Sequence, residues 1–127
     1  MEFTRRIEFD ATYDEAIPAV IEALKGQGFG VLTEIDVKRT LREKLGKDVE
    51  PYIILGACNP QLTARALEVE PEIGLLLPCN VIVATTTEGT RVGAVNPQSL
   101  VDFTGNPALA DVAQEADARL RRVIAAI

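Results

Sequence analysis

Asn80 to Thr86 is rich in β-branched residues, Arg91 to Val95 reads as its partner, and Glu88-Gly89 between them marks a turn. This hairpin restricts the fold more than any other feature of the sequence. Two strands joined so tightly must pair antiparallel, which excludes a purely parallel, doubly wound sheet.

The rest of the chain supplies helices between strands. Phe3, Arg5, Ile7 and Phe9 alternate with Thr4, Arg6 and Glu8, the period-two pattern of a strand with one buried face. Thr12 and Glu15 form a capping box, and Ile17, Val20, Ile21 and Leu24 then share one helical face that ends at Gly26 and Gly28. A second strand is predicted from Phe29 to Ile35, with Leu32 facing opposite to Phe29, Val31 and Ile35. Asp36 caps a short helix through Val37, Leu41 and Leu45, which Gly46 closes.

Tyr52 to Ala57 is almost continuously apolar, as expected of a strand at the centre of a sheet or buried on both faces. It runs into Cys58-Asn59-Pro60, where Asn as N-cap and Pro at the first helical position start a third helix with Leu62, Ala66 and Val69 inward. Pro71 stops it. Ile73 to Leu77 is too short to fix a period, so a helical turn and an extended connector both fit. Asn96-Pro97 opens at most a short turn around Leu100, and Phe103 in that connection is expected to plug the core. Asn106-Pro107 opens a long last helix with a stripe running from Leu109 through Val112, Ala116 and Leu120 to Ile124.

The order β-α-β-α-β-α-β-β-α predicts a two-layer α+β sandwich: a mixed, mainly antiparallel sheet with helices on one face, in a single domain spanning 1–127. The other face is expected to be partly polar or covered by a second copy of the chain. At 47% hydrophobic and 25% charged, 127 residues suffice for one core.

Charge narrows the function. A formal net charge of -6 argues against nucleic acid, which is bound by cations that neutralise phosphates. The basic cluster Lys38, Arg39, Arg42, Lys44 and Lys47 is interrupted by Glu43 and Asp48 and reads as a solvated helix face. Charges near the first residues and the shortness of every apolar run argue against a signal peptide or a membrane span, so a cytoplasmic protein with reduced cysteines is expected.

With no histidine in the sequence, Ser-His-Asp and Cys-His catalysis are removed, as is the usual acid-base group of neutral pH. Cys58 falls where a strand gives way to a helix, a position at which unpaired amides favour thiolate; the plainer alternative is a small buried hydrophobe. Cys79 follows Pro78, so two Cys-Asn pairs flank the third helix. If the Ile73 to Leu77 leg returns along that helix, both thiols reach one end of the sheet; otherwise they lie at opposite ends. Two thiols are too few for a structural zinc site unless two protomers pool them, so no metal or cofactor is expected. The speculative ligand-binding set is Cys58, Asn59, Cys79, Asn80 and Asn96, with Ser99 and Asp102 as further loop polar groups that turn and cap chemistry also explains. Gly26, Gly28 and Gly30 follow a helix and precede a strand, the reverse of a dinucleotide-binding turn.

Leu55-Gly56-Ala57-Cys58-Asn59-Pro60, with Glu72-Ile73-Gly74-Leu75-Leu76-Leu77-Pro78-Cys79-Asn80-Val81, Val95-Asn96-Pro97 and the closing helix, resembles the bacterial and archaeal family named domain of unknown function 302. The resemblance implies a small α+β fold laid out like the TATA-box-binding-protein class, association as dimers, and no particular activity. Two functions follow as expectations. The first is a non-enzymatic, homodimeric module that holds a small molecule or a partner. The second is a thiol-dependent sulfur or redox protein in which Cys58 reacts and Cys79 resolves, with Asn59 and Asn80 orienting the substrate.

Overall fold

The computed structural model describes residues 4–127; Phe3, assigned above to the first strand, lies outside them. The strands are β1 (Thr4–Phe9), β2 (Gly30–Asp36), β3 (Tyr52–Cys58), β4 (Cys79–Thr86) and β5 (Gly89–Val95). The helices are α1 (Tyr13–Gly26), α2 (Val37–Leu45), α3 (Pro60–Val69), α4 (Gln98–Thr104) and α5 (Ala110–Ala125), with 3-10 turns at Pro71–Leu76 and Pro107–Leu109.

Local signals set these bounds. Thr12 Oγ1 accepts from Glu15 N at 3.2 Å, Asp36 Oδ1 from Arg39 N at 3.0 Å, Asn59 Oδ1 from Leu62 N at 3.2 Å and Asn106 Oδ1 from Ala108 N at 3.0 Å. Each bond satisfies an amide that a helix start leaves without a partner. Gly46, at φ 65°, adopts the left-handed cap that ends α2.

The sheet has the order β1-β5-β4-β3-β2, and every neighbouring pair is antiparallel. The expected hairpin is β4–β5, with Val83 opposite Val92 and Thr86 opposite Gly89. No parallel pair occurs among the described strands, so "mixed" is corrected to antiparallel throughout. The reason is topological: β1 and β2, which α1 connects, run the same way but stand at opposite edges, so they never meet.

Alternation places Ile7 and Phe9, Val92 and Ala94, Val81 and Val83, and Ile53, Leu55 and Ala57 on one face. That face meets Ala16, Val20 and Leu24 of α1 and Leu120 and Val123 of α5, and together these form the main core. Arg5 shares the face and reaches Asp117 of α5 through Nε and Nη2 at 3.0 and 3.2 Å. Burial works against the Asp117 charge, but hydrogen bonds and charges from Arg5 and Arg121 together outweigh it and hold the carboxyl below its usual range.

The opposite face carries Ile54, Ile82, Gly56 and Gly93 on β3, β4 and β5, with Arg6 and a Glu8–Arg91 ion pair at 2.7 Å towards the β1 edge. Gly56 has a definite reason to lack a side chain. A Cβ there would collide with Thr33 Oγ1 and lie 2.8 Å from Pro78 Cγ.

Two local expectations are corrected and one open choice is settled. Leu100 belongs to the seven-residue helix α4, because Asn96 caps it and Gly105, at φ 66°, ends it. Phe103 is 79% exposed and plugs nothing, since α4 turns Leu100 and Val101 inward instead. Ile73 to Leu76 is a 3-10 turn, which resolves the open choice at that segment in favour of a helical form.

Candidate functional site

Asn59 and Pro60 turn the chain out of β3 into α3 at the end of the sheet. The β3–β4 ladder extends to the Ala57–Cys79 pair, which puts Cys58 diagonally next to Cys79. Both sulfur-bearing residues line one cavity of about 280 Å³. The leg from Pro71 to Leu77 therefore does return along α3, the geometry on which a shared thiol site depends.

The cavity lies between α3 and α5, under the 3-10 turn and α4. Its walls are aliphatic: Leu62 and Ala66 from α3, Ile73 and Leu77 from the returning leg, Leu100 from α4, Leu109, and Val112, Ala113 and Ala116 from α5. Small side chains make the space, because Ala66 faces Ala113 and Ala116 where α3 packs on α5. Asn106 holds these walls together: its Nδ2 donates to Val69 O at 3.0 Å and Glu70 Oε1 at 3.1 Å, tying the end of α3 to the start of α5.

Four lining residues carry polar side-chain atoms, namely Cys58, Asn59, Thr63 and Cys79, and none of the lining side chains is charged. Cys58 Sγ lies 3.3 Å from Thr63 Oγ1, a hydrogen bond that either group can donate. Cys79 is different. Burial first, and then the nearby Cys58 charge, push its thiol up to about 11, so it is protonated at neutral pH. Both cysteines are free thiols.

Asn59 is 7% exposed, and its carbonyl oxygen is committed to the α3 cap. Gly28, at φ 83°, packs on its amide: a Cβ there would stand 3.0 Å from Nδ2 and 3.3 Å from Arg119 Nη1. Arg119 Nη1 in turn donates to Gln27 O at 2.9 Å. Gly28 thus serves close packing beside the site, whereas a Cβ on Gly26 or Gly30 would meet nothing within 4 Å.

Of the five residues singled out from sequence, Cys58, Asn59 and Cys79 line the cavity. Asn96 is buried behind the wall, where its Oδ1 accepts from Gln98 N at 3.1 Å and caps α4, while its neighbour Pro97 reaches the cavity. Asn80 is exposed on β4 opposite Gly56 and is not a lining residue, because strand alternation turns it to the face away from Cys79. Ser99 Oγ bonds to Asn96 O at 2.6 Å and Asp102 is exposed, both as turn and cap chemistry would have them. Sequence reasoning missed the aliphatic wall. The available signal was the set of alanines at 66, 113 and 116, which leave room where longer residues would have filled it.

A broader, polar depression lies between Glu8–Glu15 and Thr85–Thr90, lined by threonine hydroxyls, the Tyr13 phenol and the carboxylates of Glu8, Asp10, Glu15 and Glu88, with no thiol. Among the described residues no three cysteines or carboxylates are grouped to hold a metal ion, and no helix is long and apolar enough to cross a membrane.

Fold and site together define a small α+β protein whose antiparallel sheet ends in an aliphatic, thiol-bearing cavity. The sequence pattern of the family described as domain of unknown function DUF302 matches residues 3–127, and the chain belongs to that family. A crystal structure of an uncharacterized conserved DUF302 protein from Bacillus stearothermophilus is 34% identical and superposes with a TM-score of 0.92, over 99% of this chain and 98% of that one. No curated protein matches the chain.

Proposed function

We propose that this protein is a binding module for a small apolar molecule, held in the cavity at the sheet end between α3 and α5. One observation carries the reading: the lining offers aliphatic carbon almost throughout and no charged side chain, the composition of a site that binds by excluding water. The absence of histidine fits a module that holds its ligand without general acid-base chemistry. Two such modules associate as a homodimer in a reducing cytoplasm; the half-buried Ile54–Ile82 pair, on the sheet face turned away from α1 and α5, and the two free thiols support those two parts.

Uptake of a fluorescent naphthalene probe and its displacement by octane test the reading. The wild type takes up the probe, and Ala113→Leu, which fills the space between α5 and α3, does not while keeping its circular dichroism. A wild type that leaves the probe in water removes the proposal.

A second reading, sulfur or redox chemistry at Cys58 with Cys79 resolving, is supported by the shared cavity. It stands behind the first because a protonated Cys79 is a poor attacking thiol at neutral pH. Alkylation at neutral pH that modifies Cys79 as fast as an unstructured thiol would reverse that order.

A further inference from the structure

We infer, resting on the apolar-ligand reading above, that the occupant is a neutral straight-chain molecule of limited length. It lies along α3 with its polar group at the thiol end of the cavity and its methyl end on a floor formed by Ala66, Ile73, Leu109 and Ala113. Shape, polarity and access each favour this class.

Shape sets the outline. Leu62, Thr63, Ala66 and Leu67 of α3 line the cavity together with the cap residue Asn59, so the space follows the helix for two turns. At a rise of 1.5 Å per residue, that is a run of about 12 Å. An apolar cavity of about 150 Å³ accommodates benzene, so about 280 Å³ has room for roughly ten heavy atoms. Spread over such a run, that number of atoms makes one extended chain.

Polarity gives the chain a direction. The polar lining atoms are gathered at one end, where Cys58 closes β3, Asn59 caps α3, Cys79 opens β4, and Thr63 Oγ1 stands 3.3 Å from Cys58 Sγ. The other end holds Ala66, Ile73 and Leu109, which are 5%, 1% and 2% exposed and pack as one aliphatic cluster. Ala113 of α5, 2% exposed, lines the cavity with them. A polar group pushed onto that floor would lose its water and find no partner, so the methyl end goes there. No lining side chain is charged, so a carboxylate or an ammonium meets no opposite charge and is disfavoured against a neutral group. Leu32 and Leu67 line the cavity yet are 69% and 42% exposed, an apolar lip past which the chain enters.

The floor then measures chain length. Each methylene taken out of water adds about four-fold in affinity, and a chain that has reached the floor gains nothing from further carbons. Straight-chain primary alcohols from butanol to tetradecanol, titrated by displacement of the naphthalene probe, read this out. Affinity rises about four-fold per carbon to a break near nonanol and is flat beyond it. Ala113→Val, which raises the floor, moves the break to a shorter alcohol, and Leu109→Ala, which deepens it, moves the break to a longer one. The two push in opposite directions, so a variant that fails to fold leaves the other to decide. Primary octanol binds at least about five-fold more tightly than its isomer with a mid-chain hydroxyl, and octanoate binds weakest. Affinity that climbs without a break to tetradecanol, or a bound probe that no alcohol displaces, overturns the inference while leaving the apolar-ligand reading in place. A break that neither variant moves overturns the residues assigned to the floor. Equal binding of the two octanol isomers overturns the orientation, and octanoate binding more tightly than octanol overturns neutrality. If the wild type leaves the probe in water, it is the reading beneath the inference that fails.

Discussion

Raising the pH should weaken this fold through one buried thiol. Cys79 has a reference value of 9.0 and is pushed up to about 11 in the folded chain, chiefly by burial and then by Cys58. Because the folded value is the higher one, the stability Cys79 contributes is fully present below the unfolded value and is lost as pH rises from 9.0 towards about 11. A difference of that size corresponds to about 2–3 kcal/mol, at 1.36 kcal/mol per unit. Urea unfolding of the wild type and of Cys79→Ala, each near neutrality and at the alkaline end of that window, isolates the contribution. Lysines and tyrosines titrate in both proteins, so they cancel in the double difference, and Cys79→Ala should lose about 2–3 kcal/mol less than the wild type. Removing the neighbouring charge in Cys58→Ser should lower the Cys79 titration, read from thiolate absorbance. A double difference near zero would refute the claim that Cys79 is desolvated next to a second thiol.

Arg5→Ala should cost about 1–3 kcal/mol near neutrality, because it strips a hydrogen-bonded partner from a buried carboxylate. Asp117 is held below its usual range, so the stability this contact brings is present above the reference value of 3.8 and lost as pH falls through the lower folded value. Acid titration of unfolding in wild type and variant should therefore show the two curves converging at low pH. Gly56→Ala should destabilise by about 1–3 kcal/mol in urea unfolding, since the new methyl collides with Thr33 Oγ1 and Pro78 Cγ and forces both side chains to shift. A neutral result would mean that β2 slides away from β3 at its bulge.

What the sequence made legible was governed by short-range chemistry. Thr12, Asp36, Asn59 and Asn106 each announce a helix start through an oxygen two or three residues from the amide it caps, and all four do so in the structure. The hairpin was equally local, fixed by Glu88-Gly89 between two β-branched runs. Strand order was not legible, because nothing in Arg5 or Ile7 indicates that Ala94 and Val92 are their partners. Phe103 misled for a related reason: hydrophobicity describes what a side chain gains from burial, not whether its helix turns it inward. The cavity combines both difficulties, since Cys58-Asn59 could be noticed locally but the alanines opposite it come from a helix some fifty residues further on.

The sheet order has a bearing on how the chain assembles. β1 is the first strand made yet hydrogen-bonds only to β5, the last of the described strands, whereas β2 to β5 form a continuous series in which each strand pairs with the next. During synthesis the first strand must wait, with Ile7 and Phe9 uncovered, while the other four can already be zipping together. Closure of the β1–β5 seam brings Arg5 to Asp117 and so joins the first described strand to α5; until it closes, β1 and β5 each keep an unpaired edge open to another chain.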